Sequence, residues 1–520
     1  MNTAPDPTPS SAPATTPPGP GPARPASDGS RWSAAELRRL AALVWPGQLL
    51  VVAGIIAANA QPQIAQHFHT TQIAWFGLSF TLATVVATPF AVRLGDLYGK
   101  RRVMLVLAAL GLVGDVVTVV APTYPVMVLG RVVGGLYGPV AVLVLAAVRD
   151  LFPPRKVALA LGTVAGSVGV LSLLAPLLSG WLLDAFGWRG ALWFLVVSTV
   201  VALATLLAVP ETPRRAVTGR LDWAGALLLG GGLALVVFGI GQGRDWGWGS
   251  AGVLTAVLTG AAALAVFAVV ELRVAAPILD LRMLGRRSLS TVLLGSSVPQ
   301  AAFFASQAVL IFLALFPPIP HVSDGLGWST TRIALVGVPA GLVTFAAGVG
   351  VGRAVRTVSP RAVWYAGLVL LAAGLVLAAF YHRDTAQIIA TGVVMGLGGG
   401  ILMAGQQAMI VSVVSADEQA AANGLSSLLT QVFLALTNQM LYAVLAADST
   451  VLEGTAFYHD QAFTNAYLAM AAVVTVGLLI SLAIPGLARP ADAAAGDPRP
   501  ADTAPAGAPG TAAADGARTA

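Results

Sequence analysis

The chain has 520 residues, of which 57% are apolar and only 10% are charged, and its mean hydropathy is +0.81. Since soluble globular proteins carry about a quarter charged residues, this composition excludes a water-soluble protein, and the high hydrophobicity excludes a disordered one. The absence of cysteine excludes disulfides, thiolate metal sites and cysteine nucleophiles. The composition therefore predicts a protein that crosses a membrane several times.

The two ends of the chain differ from the rest. Residues 1–40 and 488–520 are rich in Pro, Ala, Gly and Thr, so we expect disordered tails, and the first tail lacks the early apolar core of a signal peptide. Between the tails, fourteen apolar runs each approach or exceed the roughly 20 residues that cross a bilayer core. The predicted spans are 43–61, 73–92, 103–121, 126–148, 157–182, 190–209, 222–241, 251–271, 289–316, 332–351, 362–380, 386–405, 420–445 and 464–486.

Lysine and arginine are unevenly distributed between the loops. Of the 29 basic residues, 24 fall in the two tails and in the loops after even-numbered spans, whereas four fall in the alternate loops. Because Lys and Arg hold loops in the cytoplasm, we expect a plasma-membrane protein with both termini in the cytoplasm. The spread of charge over seven segments argues against nucleic acid as a partner, despite a net charge of +6.

The loop after the second span reads Arg-Leu-Gly-Asp-Leu-Tyr-Gly-Lys-Arg-Arg over residues 93–102. A glycine-containing turn with one carboxylate and several cations suits a latch that helix movement releases, and a plain basic loop is the alternative. The segment resembles the motif between helices 2 and 3 of the major facilitator superfamily, although the motif's leading glycine and the arginine after its aspartate are replaced here. The predicted latch is Asp96, Gly99, Lys100, Arg101 and Arg102.

Two charged residues lie well inside predicted spans, Asp115 in the third and Arg131 in the fourth. Such charges are costly in a membrane and are functional by default. Arg131, followed by Gly135, resembles the arginine motif in helix 4 of the superfamily's proton antiporters. At 1.5 Å per residue, Asp115 and Arg131 lie roughly 8–9 Å below the same surface. We therefore expect a salt bridge, which is either structural or opens when Asp115 takes up a proton.

Small residues recur at spacings of three and four in the fifth span, and such spacings let helices approach closely. Its Ala-Pro-Leu-Leu-Ser-Gly segment resembles a further antiporter motif of the superfamily in which two glycines are replaced. Simple helix packing is the alternative, and it explains the glycines equally well. The predicted packing motif is Gly135, Gly169, Pro176 and Gly180.

The resemblance covers nearly the whole chain between the tails and favours the fourteen-helix drug:proton antiporter branch. It implies an all-α polytopic fold with two six-helix bundles, 41–209 and 289–487, and a linker, 210–288, that holds two additional transmembrane helices. The chain departs from this branch in having Ala53 where helix 1 usually carries an aspartate. Asp115 is then the sole carboxylate well inside any span.

The resemblance also implies a central cavity, lined by helices 1 and 4 and by their counterparts in the second half. Uncharged polar and aromatic residues are the candidates for its wall, and the alternative is that the amides hold helices together. The candidates are Asn59, Gln61, Tyr137, Gln300, Phe304, Gln307, Gln406 and Gln407.

The implied function is secondary transport: proton-driven export of a hydrophobic drug-like or natural-product molecule by alternating access. The expected partners are this small molecule, protons and the bilayer, and we expect a monomer without cofactor or metal. Uptake or uniport of a metabolite or lipid stays open. A membrane enzyme acting on a lipid-linked substrate is the main alternative class, but its clustered acids and histidines are missing, since His67 and His69 lack a nearby third ligand.

Overall fold

A computed structural model describes residues 32–213, 223–274, 281–354, 357–415 and 418–483. The predicted tails lie largely outside these residues, and nearly all of the described chain is helical. The helices are α1 (Ala34–Phe68), α2 (Ala74–Tyr98), α3 (Lys100–Val120), α4 (Tyr124–Gly134), α5 (Val140–Leu151), α6 (Pro154–Leu207), α7 (Trp223–Trp246), α8 (Ala251–Arg273), α9 (Arg287–Leu315), α10 (Thr330–Ala354), α11 (Pro360–Phe380), α12 (Thr385–Val413), α13 (Gln419–Ala447) and α14 (Asp460–Leu482).

Within the described residues, thirteen helical stretches are long and apolar enough to cross a membrane. The range α6 contains two helices that meet at a kink, and its 54 residues are more than twice the roughly 20 that cross a bilayer core. Gly187 breaks α6 with a φ of 65°, a value that glycine adopts without steric cost. The two parts of α6 contain the predicted spans 157–182 and 190–209, and the span 126–148 covers α4 and α5. Every predicted span therefore overlaps a helical segment, although some helices, such as α1, extend well beyond the predicted bounds.

The first helix begins earlier than the predicted end of the N-terminal tail at residue 40. Ser33 accepts a hydrogen bond from the backbone of Glu36 at 3.1 Å, and the Glu36 carboxylate accepts one from the backbone of Ser33 at 2.8 Å. This reciprocal capping box satisfies two backbone donors at the helix start. Residues 34–40 are therefore helical rather than part of a tail.

The helices pack as two similar groups. The helix α1 packs on α6, and α3 on α4 and α6; in the second half, α9 packs on α13 and α14, and α11 on α12 and α14. The helices α7 and α8 pack on each other, and α7 also contacts α2 from the first group and α13 from the second. The additional helix α7 thus lies along the seam between the two halves.

Two short antiparallel hairpins were not predicted. They pair β1 (Pro318–Ile319) with β2 (Ser323–Asp324), and β3 (Ser449–Leu452) with β4 (Thr455–Tyr458). Both connect helices at the side opposite to the Lys/Arg-rich loops. We call these two sides of the molecule the basic side and the opposite side.

Candidate functional site

The predicted latch lies on the basic side, where α2 ends and α3 begins. The Lys100 ammonium bridges two carboxylates: it lies 3.3 Å from Asp96 Oδ1 and also pairs with Asp150 at the end of α5. The Lys100 side chain is only 3% exposed. Because a buried cation needs nearby anions, the turn between α2 and α3 is fixed to α5 by this pair of acids.

A third acid, Glu211, holds the other side of the same turn. Its Oε1 accepts the backbone N–H of Arg101 at 3.1 Å, and its Oε2 lies 3.7 Å from Arg102 Nε. Gly99 has a φ of 96°, and a Cβ there would lie 2.4 Å from Glu211 Oε1, so this position requires glycine. Thr212 Oγ1 accepts the backbone N–H of Lys100 at 2.9 Å. The latch therefore connects α2, α3 and the end of α6 within one half.

Asp115 and Arg131 are both buried, at 3% and 2% exposure. Asp115 Oδ2 accepts a hydrogen bond from Thr199 Oγ1 at 2.9 Å. Arg131 Nε donates to the carbonyl of Phe76 at 3.2 Å, and its guanidinium carbon lies 4.8 and 4.4 Å from the ring centres of Phe76 and Phe80. The two aromatic faces stabilise the cation inside the bundle.

The expected salt bridge between Asp115 and Arg131 is absent from the ion pairs formed by the described residues. The physical reason is the close approach of α3 and α4: a Cβ at Gly114 would lie 2.2 Å from the backbone nitrogen of Gly134. With the two backbones in contact, Arg131 reaches to α2 and Asp115 to Thr199 on α6. Neither Thr199 nor the aromatic pair was identified from the sequence, although Phe76 and Phe80 have the i, i+4 spacing of one helix face.

A further carboxylate, Glu271, lies at the end of α8 and is fully buried. From the sequence it is the last residue of the predicted span 251–271. In the structure its side chain is buried although it lies at the end of one of the two additional helices. Asp115 is therefore not the only buried acid in the described chain.

The predicted cavity residues fall into two groups. Most of them engage neighbouring helices: Asn59 Nδ2 donates to Ser179 Oγ at 3.1 Å, Gln300 Oε1 accepts from Thr430 Oγ1 at 3.4 Å, and Gln406 bonds to Ser426. Tyr137 is buried at 1% exposure with its ring against Gly111 and Phe80, so it does not line an open cavity in this conformation. The exposed members are Phe304, Gln307 and Gln407.

The predicted packing glycines occupy two different settings. A Cβ at Gly135 would lie 2.5 Å from the carbonyl of Phe80, and one at Gly180 would lie 2.8 Å from Thr331 Cα. These two positions therefore allow close helix contacts, and Pro176 lies half-buried nearby in α6. The contacts of Gly169 lie outside the part of the chain that the structure describes.

Two other glycines of the fifth span do not pack as expected. A Cβ at Gly162 or Gly166 would meet no atom within 4 Å. Both belong to the part of α6 nearest the basic side. The face of α6 that carries these two glycines is therefore open in the present conformation.

On the opposite side, an acid from one half caps a helix of the other half. Asp184, near the break in α6, accepts the backbone N–H groups of Thr330 and Thr331 at 2.9 and 2.8 Å. These residues form the first turn of α10, where unpaired N–H groups and the helix dipole favour a negative charge. The contact ties the two halves together.

Two more hydrogen bonds join the halves on the same side. Tyr442 on α13 donates its hydroxyl hydrogen to Gln61 Oε1 on α1. Thr455 on β4 donates to the carbonyl of Ala65 at 3.2 Å. Between described residues, the hydrogen bonds that link the first half to the second all lie toward the opposite side. The molecule is therefore closed there.

A sequence model of the Major Facilitator Superfamily matches residues 47–316 and 301–513. The chain is 29% identical over 399 residues to a probable actinorhodin transporter of Streptomyces coelicolor, covering 73% of this chain and 67% of that protein. It is 28% identical over 430 residues to the tetracenomycin C resistance and export protein of Streptomyces glaucescens, covering 78% and 76%.

The fold is similar to that of solved transporters. Superposition on the nucleoside transporter NupG gives a TM-score of 0.59 at 12% identity and covers 87% of this chain and 100% of that one. At this identity the likeness concerns the fold alone. The two matched segments of the family model together span most of the chain. The chain belongs to the major facilitator superfamily of membrane transporters.

Proposed function

We propose that the protein exports a hydrophobic drug-like or natural-product molecule by alternating access, driven by inward proton flow. The names of the two Streptomyces relatives, which refer to actinorhodin and tetracenomycin C, support this substrate class. The mostly apolar helices with uncharged amides suit a bulky molecule of low charge.

The main support for the proposal is that the hydrogen bonds between the two halves, among the described residues, lie on one side of the molecule. Asp184, Gln61 and Ala65 of the first half each bond to the second half on the opposite side. Since the basic side is cytoplasmic by its Lys and Arg content, this conformation is closed to the outside. It represents the state that takes up substrate from the cytoplasm of the cell. Both sides of this gate come from one chain, so a monomer is sufficient.

Proton coupling is assigned to Asp115. It lies deep in the first bundle, and the nearby Arg131 keeps its charge at any relevant pH. A proton on Asp115 removes the charge that Thr199 and the field of Arg131 stabilise, and α3, α4 and α6 meet at this point. Proton uptake can therefore alter the packing of three helices at once.

Substrate binding is assigned to the exposed members of the predicted cavity set. Phe304 and Gln307 lie one turn apart on α9, and Gln407 lies on α12. They combine an aromatic face with amide donors and acceptors. The remaining candidates hold helices together here, and Gln61 becomes available only when its bond to Tyr442 opens.

The test is an accumulation assay in an efflux-deficient host that expresses the protein, with a panel of hydrophobic antibiotics. We expect lower accumulation of some compounds, and loss of that effect when a protonophore is added. Higher accumulation would indicate uptake. A reduced level that the protonophore leaves unchanged would exclude proton-driven export.

A further inference from the structure

The fifth transmembrane segment of each half begins with a charged residue, and the two charges have opposite signs. This segment is the first part of α6 in the first half and α13 in the second half. Lys156 lies in the first turn of α6, and Glu418 immediately precedes α13. In each case a glycine follows six residues later, Gly162 and Gly424, and a Cβ at either glycine would meet no atom within 4 Å. The two helix ends are therefore equivalent in position, opposite in charge and open toward space.

Each of these charges is paired inside its own half. Lys156 Nζ lies 2.8 Å from Glu36 Oε2, and Arg286 donates to both oxygens of Glu418 at 2.8 and 2.9 Å. The hydrogen bonds from Arg286 lower the pKa of Glu418 below its ordinary value, so this carboxyl is ionised at neutral pH. Glu36 and Arg286 both lie at the start of the first helix of their half. The two pairs thus join the same helix ends with reversed polarity.

The reversed polarity matters when the halves move. Two similar bundles that rock about a shared axis bring their equivalent ends toward each other. Equal charges at these ends would repel when the cytoplasmic side closes, whereas a lysine and a glutamate attract. The open glycine faces of α6 and α13 leave room for the two helices to approach.

We propose that closure of the cytoplasmic side exchanges partners, so that Lys156 leaves Glu36 and pairs across the halves with Glu418. This inference rests on the alternating access proposed above. Because these ion pairs are only partly buried and such pairs contribute about 1 kcal/mol or less each, the exchange shifts the balance between the two states only modestly. Lys156 and Glu418 are then positioning residues that set the balance between the two states without touching the substrate.

Cross-linking tests the contact. The chain has no cysteine, so K156C/E418C carries only two thiols, and a short bismaleimide can join them. A protease site inserted within 214–222 allows the joined halves to be recognised on a denaturing gel. In a D184A background, which removes the outer cap of α10, we expect a several-fold higher yield of joined halves than with Asp184 intact.

The matched control pair is R155C/E418C. Arg155 is exposed and precedes Lys156, so it points about 100° away around the helix. Its yield should stay low in both backgrounds. Equal yields from the two pairs would overturn the proposal. If the wild-type protein exports substrate in the same cells, that result leaves the proposed function intact.

A double-mutant cycle tests the charge pair. The variants are K156Q, E418Q and their combination, each with spin labels at Y98C and V358C, two exposed positions of the basic side in opposite halves. The ion pair of Lys156 and that of Glu418 within their own halves share no residue, so the effects of losing them on the equilibrium between the two states multiply. A pair between Lys156 and Glu418 is already lost in either single variant, so the double variant does not lose it a second time. We expect the double variant to keep about threefold more closed cytoplasmic state than the product of the single effects. A population equal to that product would overturn the proposal.

Discussion

Asp115 and Arg131 lie within one bundle without forming an ion pair. Each has its own neutral partner, Thr199 for the acid and the carbonyl of Phe76 for the base. A buried carboxylate held by one hydroxyl is easier to protonate than one in a direct salt bridge. This arrangement suits a group that takes up and releases protons better than the expected bridge does.

The substitution D115N tests this assignment. We expect transport driven by a pH difference to fall to background, since no proton can then bind at this position, while exchange of substrate down its gradient continues. The control T199V removes only the hydroxyl and should retain part of the coupled rate. Both are measured as pH-jump-driven efflux from proteoliposomes. Coupled transport by D115N at the wild-type level would make the residue structural.

The substitution D96N tests the latch. It removes one of the two acids at the buried Lys100 and should slow transport about tenfold, which corresponds to about 1.4 kcal/mol in the conformational barrier. Expression and membrane insertion should stay normal. The matched control is R102Q, because Arg102 is largely exposed and its contact with Glu211 is long. If turnover is unchanged in D96N, the loop only determines topology.

Only some of the charged contacts of the latch can be predicted from the sequence. Asp96 and Lys100 stand in one short turn, so their pairing follows from local spacing. Asp150 and Glu211 could not be assigned, because they are 50 and about 110 residues away and reach the turn only through the packing of α5 and α6. Long-range partners of a charge depend on the fold.

At the scale of whole elements, the first part of α6 and the start of α10 form one of the contacts that join the two halves on the opposite side. Asp184 supplies both oxygens to the first turn of α10, and Gly180 one turn earlier lets the two helices touch. A carboxylate at a helix start contributes about 1 kcal/mol. Here that energy stabilises a contact between halves rather than a helix alone.

We expect D184A to open the outer side. Loss of the cap should shift the equilibrium between the two states about five- to tenfold toward the outward-open form. The measurement is the distance distribution between spin labels at T123C and P320C, two exposed outer positions in opposite halves. The control is D384A, because Asp384 caps its own helix α12. An unchanged distribution in D184A would remove Asp184 from the gate.

Hydropathy located every helix because about 20 apolar residues are needed to cross a membrane. It also separated spans five and six, which are two helices that meet at Gly187, but it could not show that a single residue with a positive φ forms the kink between them. The hairpin β3–β4 was equally hidden. Its four-residue strands are too short for a clear alternation, and Thr455 is placed by its bond to α1.

At the scale of the whole molecule, the uneven distribution of basic residues predicts the topology. Reporters active only in the cytoplasm, fused after residue 30 or after residue 490, should both be active, because fourteen crossings return the chain to its starting side. A reporter inserted at residue 122, in the turn between α3 and α4, serves as the control and should be silent. An inactive reporter at only one tail contradicts the count of fourteen, and inactive reporters at both tails contradict the predicted orientation.

The two halves repeat one packing scheme, and α7 lies against both at their seam. Closure on the opposite side and open glycine faces on the basic side are what one end of the proposed alternating-access cycle requires. The residues that bind across the halves must separate in the other state. The energy for that step comes, in the proposed function, from a proton on Asp115.

The most direct test of proton-driven export uses everted membrane vesicles from an efflux-deficient host, whose lumen corresponds to the cell exterior. With the lumen acidified by respiration, vesicles that contain the protein should concentrate a hydrophobic antibiotic found active in the accumulation assay, and a protonophore should release it. Vesicles containing D115N should fail to concentrate it. Accumulation no greater than in vesicles without the protein, or accumulation that persists with the protonophore, would contradict the account.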